Sequence, residues 1–332
     1  PDKAEALREV ASRHGAKFET LDAAGKGSFT ECTADAGAEF IPVERAEDDL
    51  AAILYTSGTT GRSKGAMLTQ LNLLSNAEVL VQAWRFTSED VLLHALPIFH
   101  THGLFVASNV SLLAGGKMIF LPGFKLDQVI AHLPEATAMM GVPTFYTRLL
   151  DDPRFTRALV GHMRLFTSGS APLLAETHRA FEDRTGHRIL ERYGMTETNM
   201  TTSNPYEGER RAGTVGPALP GVAVKITDPE TGATLPMGEP GMIEVKGPNV
   251  FKGYWEMPEK TREELREDGF FITGDIGVID AEGYVTIVGR QKDLIITGGY
   301  NVYPKEIELI LDEQPGVCLL YTSDAADEED SV

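Results

Sequence analysis

The sequence predicts an α/β fold, with parallel sheets covered by helices and a β subdomain following them. Three observations carry that expectation. From Leu50 to about Tyr193, short apolar runs alternate with amphipathic stretches, the βα rhythm of a mostly parallel sheet. After Gly213 the texture changes to short alternating segments punctuated by Gly and Pro, as in antiparallel sheet. A chain of 332 residues with 42% hydrophobic content is long enough to bury one large core or two.

In chain order, 53–55, 91–93, 118–121 and 165–167 are the apolar runs that read as strands. Thr69 reads as the N-cap of a helix carrying Leu71, Leu74 and Val81. Leu126, Val129, Ile130 and Leu133 form the apolar face of another helix, and Met139 and Met140 read as core. In the second part, 222–226, 242–245 and 285–288 are expected strands. Residues 289–297 look like a connection to a further small domain, whose first helix would hold Ile307, Leu309, Ile310 and Leu311. The stretch 318–332 is acidic and aperiodic and reads as an unrelated or artefactual tail. The expected divisions are 1–289, with 213–289 as the β subdomain, then 290–317, then 318–332.

Composition narrows the function. With 30 Lys plus Arg against 49 Asp plus Glu, the net charge of −19 argues against nucleic acid or an anionic membrane as the main partner. Any anionic ligand must be held by local groups. Cys32 and Cys318 lie far apart with no His or Cys neighbour at metal-ligand spacing, which points away from a zinc site and from a disulfide framework. No window approaches the roughly 18 to 20 apolar residues of a membrane span, and no signal core follows Pro1. The expectation is a cytoplasmic protein without integral membrane association; an organellar matrix stays open, because the missing initiator Met hints at a fragment.

The densest motif is Thr56, Ser57, Gly58, Thr59, Thr60, Gly61, Arg62, Ser63, Lys64, Gly65, directly after the apolar run ending at Tyr55. Small residues let backbone N–H groups crowd around phosphate oxygens, hydroxyls add donors, and Lys64 supplies a compensating charge. A Walker A loop has a different spacing before its Lys, so the P-loop reading is poor. A plain Gly/Ser/Thr turn is the bland alternative.

These ten residues resemble the signature of the adenylate-forming (AMP-binding) acyl-CoA synthetase superfamily, and further matches follow in that family's order. Pro97 to Gly103, including His100, Thr101 and His102, resembles the segment whose His shapes the acyl pocket. Ser168, Gly169, Ser170 and Ala171 resemble the turn beside adenine. Glu191 to Thr198 resembles the loop in which Tyr193, followed by Gly194, packs on adenine, Thr196 meets the α-phosphate and Glu197 binds magnesium. Thr273, Gly274, Asp275 and then Gly289 to Asp293 match the ribose-binding Asp and a hinge with its ribose-binding Arg290; Lys292 would be the hinge residue. Gly298, Gly299 and Tyr300 match the border of the CoA tunnel. The resemblance runs from about Pro1 to Val317, and the family's second catalytic Lys, near the end of its small domain, has no counterpart here.

The resemblance implies the large N-terminal domain of that fold with the start of a small C-terminal one, and a ligase using ATP, Mg2+ and CoA on a carboxylic acid. The chemistry agrees. A carboxylate attacking the α-phosphorus of ATP brings two anions together, which hydroxyl donors, Lys64 and a metal on Glu197 would screen. A solvated acid is the alternative for Glu197 and a turn-stabilising one for Asp275.

Arg192 points to the substrate. A fixed fork of donors beside the acyl pocket suits a second carboxylate, and malonyl-CoA synthetases resemble this chain both there and at 248–255. The expected reaction is malonate, ATP and CoA giving malonyl-CoA, AMP and pyrophosphate. The rivals are a fatty or aryl acyl-CoA synthetase, which would not need Arg192, and a truncated nucleotide-binding remnant without catalysis. Pairing of Arg192 with Glu191 or a distant acid, and a merely packed His102, are the alternatives at the residue level. His14, His132, His162, His178 and His187 receive no role.

Overall fold

A computed structural model describes residues 2–22, 24–37, 39, 41–56, 63–293, 295–297, 300–302 and 311. The chain divides into two compact units, Pro1–Arg45 and Ala46–Val332. That division lies inside the stretch 1–289 that the sequence reading keeps together. The first unit holds α1 (Asp2–Arg13) and α2 (Ser28–Cys32), with Thr20 and Ser28 exchanging backbone-to-hydroxyl hydrogen bonds of 2.9 and 3.1 Å. Cys32 is a free, exposed thiol.

The second unit opens with a hairpin, β1 (Leu50–Thr56) and β2 (Lys64–Thr69), paired antiparallel from Leu50↔Thr69 to Thr56↔Lys64. The expected strand at 53–55 is therefore real but does not join the parallel sheet; it pairs with β2 in a separate two-stranded sheet. Residues 252–255 lie along the other side of β2, with Met67 N donating to Gly253 O and Trp255 N to Gly65 O at 2.9 and 2.8 Å. α3 (Gln70–Ala83) follows, capped as expected: Thr69 Oγ1 accepts from Asn72 N at 3.2 Å, and Asn72 Oδ1 accepts from Thr69 N at 2.9 Å. Its buried face differs from the expectation. Leu74 is half exposed, while Asn72 and Asn76 are buried, donating to the carbonyls of Pro248, Val250 and Met200. Amide side chains satisfy loop carbonyls that leucines would strand.

The parallel sheet is six-stranded, in the order β4-β3-β5-β6-β7-β8. Its strands are β3 (Val91–His94), β4 (Lys117–Phe120), β5 (Ala138–Gly141), β6 (Leu165–Ser168), β7 (Leu190–Met195) and β8 (Asn199–Ser203); β8 alone runs antiparallel, returning from β7. A π-helix at His102–Ser108 leads into α4 (Asn109–Leu113). α5 (Leu126–His132), α6 (Pro143–Leu150), α7 (Arg157–Val160) and α8 (Ala175–Thr185) cover the sheet. Val129, Ile130 and Leu133 bury the face read from sequence, and Met139 and Met140 are core.

Four strands, β9 (Ala223–Thr227), β10 (Gly241–Lys246), β11 (Phe271–Ile279) and β12 (Val285–Arg290), form the antiparallel sheet expected after Gly213, in the order β12-β11-β10-β9. α9 (Pro258–Glu264) precedes β11. A short hairpin, β13 (Ile295–Thr297) and β14 (Tyr300–Val302), ends the described chain apart from Leu311, which is helical. Ile307, Leu309 and Ile310 lie outside the described residues. Among the described residues no helix is long and apolar enough to cross a membrane.

Candidate active site

The carboxyl ends of β3, β5, β6 and β7 face one cavity of about 1020 Å³, which β11, β12 and α9 close from the other side. Crevices at the carboxyl ends of parallel strands are where α/β sheets bind ligands, because loops there are free to vary while the strands hold them rigidly. Of the residues singled out in the sequence, Thr56, Lys64, His100, His102, Ser170, Arg192, Gly194, Thr196, Glu197, Asp275, Arg290 and Lys292 line it. Ser57, Gly58, Thr59, Thr60, Gly61, Gly298 and Gly299 lie outside the described residues, and Tyr300 sits in β14.

Arg192 is the most unusual side chain. It is 3% exposed, and its Nε and Nη2 have no hydrogen-bond partner among the described residues. Burial pushes its pKa down to about 10, so it still carries its charge at neutral pH. It does not pair with its neighbour. Glu191 is turned to the opposite face of β7, as strand alternation requires, where His178 Nδ1 lies 3.1 Å from its Oε1. Burial raises the Glu191 pKa, with the His178 contact opposing it. His178, given no role from sequence, is thus the partner that takes Glu191 away from Arg192. Gly169 makes room: a methyl group there would overlap the guanidinium.

Beside Arg192, burial and the charges of Arg192, His94 and His100 hold the His102 pKa well below its ordinary value. The ring is neutral. Its Nδ1 lies 3.2 Å from Ser170 Oγ, while its Nε2, like Ser168 Oγ and Thr101 Oγ1, is buried without a partner among the described residues. His94, which the sequence reading did not weigh, supports this corner: its Nε2 lies 2.9 Å from Gly103 O, at the start of the π-helix. Gly103 is required there, since any side chain would run into the Pro97 carbonyl.

At the other end of the cavity Tyr193 Oη donates to Asp275 Oδ2 at 2.6 Å, and Arg290 Nε lies 3.4 Å from Asp275 Oδ1. Burial raises the Asp275 pKa, with Tyr193 and Arg290 opposing. Between the two ends, Lys64 Nζ approaches Tyr254 Oη at 3.2 Å and Glu264 at 3.3 Å, and Tyr254 Oη is 3.0 Å from Glu197 Oε1. Burial raises the Glu197 pKa, against hydrogen bonds from its own backbone and Tyr254. Glu264 was missed because it belongs to no motif; Pro258–Glu264 is a short charged helix from which Lys260, Glu263 and Glu264 line the cavity.

Among the described residues no group of three or more His, Cys, Asp or Glu side chains could hold a metal. Glu197 offers a single buried carboxylate, which suits an ion carried in on phosphates rather than one caged by protein.

A parallel sheet whose strand ends face an antiparallel sheet across such a cavity, with Thr56 and Lys64 of the β1–β2 hairpin on its wall, frames the site. The chain belongs to the AMP-binding enzyme family, whose model matches residues 2–255. It is 39% identical to a malonate–CoA ligase of Arabidopsis thaliana over 97% of its own length and 57% of that protein's. The ATP-bound structure of MatB from Rhodopseudomonas palustris superposes with a TM-score of 0.93 at 65% identity, over 95% of this chain and 63% of that one. A long-chain-fatty-acid–CoA ligase of Bacillus subtilis is 38% identical over 87% of the chain and 53% of the relative. The chain thus spans about 57% to 63% of the length of the first two proteins.

Proposed function

We propose that the chain carries the adenylation site of an acid–CoA ligase that converts malonate to malonyl-CoA through an acyl-adenylate. One malonate oxygen attacks the α-phosphorus of ATP, and pyrophosphate leaves with the electrons of the broken P–O bond. The thiolate of CoA then attacks the acyl carbon and AMP departs. Lys64 and Thr196 would stabilise the charge that builds on the α-phosphate, and Asp275 with Arg290 would hold the ribose. Glu197 would hold Mg2+, which screens the phosphate charge when bound. Lys292 would be the hinge, and Gly298, Gly299 and Tyr300 would border the CoA path.

Arg192 carries the choice of substrate. Both malonate and long-chain acid ligases are similar to this chain, so overall likeness does not separate them. A buried guanidinium whose Nε and Nη2 have no partner among the described residues favours malonate: a hydrocarbon tail would leave it desolvated and unpaired, at a cost of several kcal/mol, whereas a second carboxylate would pair it. His102, neutral and with a free ring nitrogen, adds a hydrogen bond without a second charge. The test is pyrophosphate release across malonate, methylmalonate, butyrate and octanoate. Release that depends on the second carboxylate supports the reading. Equal or better use of octanoate would place the chain with the long-chain ligases.

A further inference from the structure

We propose that Glu264 is a positioning residue of the nucleotide site, a resident anion that holds the Lys64 ammonium until a triphosphate takes its place; this rests on the adenylation reading above. Lys64 Nζ lies 3.3 and 3.4 Å from the two Glu264 oxygens, 3.2 Å from Tyr254 Oη, and 4.5 Å above the Tyr254 ring. Side chains of the pair are 17% and 21% exposed, so water screens it only in part and an entering anion can still reach it.

Glu264 also has somewhere to go. Its Oε1 is 2.9 Å from Lys260 Nζ, one helical turn back on α9. A phosphate that captures Lys64 therefore leaves Glu264 paired. Two further acids lining the cavity are already paired: Glu263 shares Lys260 with Glu264, and Asp275 faces Tyr193 and Arg290.

The Tyr254 hydroxyl ties the exchange to Glu197. It lies 2.6 Å from Glu264 Oε2 and 3.0 Å from Glu197 Oε1, yet has one proton to donate. In the arrangement seen here the shorter bond goes to Glu264. Moving Glu264 toward Lys260 turns that proton to Glu197. One substitution at Glu264 thus reaches Lys64 directly and Glu197 through the phenol.

The experiment is calorimetric titration of ATP, with adenosine as the uncharged control, into the wild-type chain, Glu264→Gln, Lys260→Met and the double variant. Melting curves confirm that each is folded. Glu264→Gln removes the competing anion and should tighten ATP at least about threefold, the effect of one partly screened charge, while adenosine binding stays unchanged. Lys260→Met leaves Glu264 with Lys64 as its remaining cation among the described residues and should weaken ATP. Most of that weakening should vanish in the double variant, because Lys260 acts through Glu264. Unchanged or weaker ATP binding by Glu264→Gln overturns the proposal, as does a Lys260→Met penalty that persists in the double variant. Absence of ATP binding by wild type and variants alike would sink the adenylation reading itself, and the proposal with it.

Discussion

At the level of single residues, Arg192 sets function against stability. A buried cation without a carboxylate is costly, so replacing it with an apolar chain of similar volume should stabilise the fold. Arg192→Met is expected to raise the melting temperature by a few degrees, lower malonate affinity at least about tenfold, and leave butyrate unharmed. Thermal denaturation alongside acid titrations checks this. A variant that melts lower, with equal losses for both acids, would make Arg192 structural. Gly169→Ala probes the same guanidinium from its far side. The added methyl displaces the flexible tip rather than backbone, so malonate affinity should fall while the melting temperature barely moves. A large drop in melting temperature would contradict that. Much of this corner was legible in the sequence because Arg192, His102 and Gly169 each sit in a short contiguous motif. Tyr254 and Glu264 were not assigned, since they meet Lys64 from 190 and 200 residues away and only folding brings them together.

At the level of elements, the parallel sheet depends on an ion pair remote from the cavity. Asp90, just before β3, receives Arg164, just before β6, through Nε and Nη2 at 2.6 and 2.8 Å, with Thr137 and the Thr87 amide as further donors. Burial alone would raise the Asp90 pKa, but those hydrogen bonds outweigh it and leave it below the ordinary 3.8. A depressed carboxyl pKa means that the folded state releases the proton more readily than the unfolded one. The stabilisation is therefore full above about pH 4 and is lost as pH falls through the lowered folded value. Asp90→Asn should cost about 2 to 3 kcal/mol at neutral pH, with the gap to wild type closing below pH 4. Chemical denaturation at pH 7 and pH 3.5 measures both; a pH-independent gap would remove the ion pair as the cause. The strands β3, β4 and β6 followed from apolar runs, whereas the order of the sheet and the antiparallel partnership of β1 with β2 did not, because pairing depends on where the intervening segments turn.

At the scale of the whole molecule, the chain carries a net charge of −19 although its cavity is proposed to take polyanions. Both cations and acids line the cavity, so attraction to phosphate is short-ranged while the distant field of the acidic chain repels. The association rate of ATP should therefore rise with salt over the first ~0.1 M, opposite to a protein that steers anions with a basic surface. Stopped-flow binding at several salt concentrations decides it, and a rate that falls as salt is added would show that local cations dominate at long range too. The sequence made the overall acidity plain, but not that Lys64, Lys260, Arg290 and Lys292 converge from separate elements on one cavity.

The π-helix at His102–Ser108 has a consequence for how such a pocket diverges. A π turn holds one residue more than an α turn, so losing a single codon in this stretch rewinds it to ordinary helix without breaking it. Everything on the N-terminal side would then swing by about 100° around the axis, carrying the His102 ring off the Arg192 guanidinium. If the proposed function holds, acid preference can change here by length as well as by substitution: insertions and deletions of one residue, usually silent in loops and ruinous in helices, become an inheritable dial on the pocket.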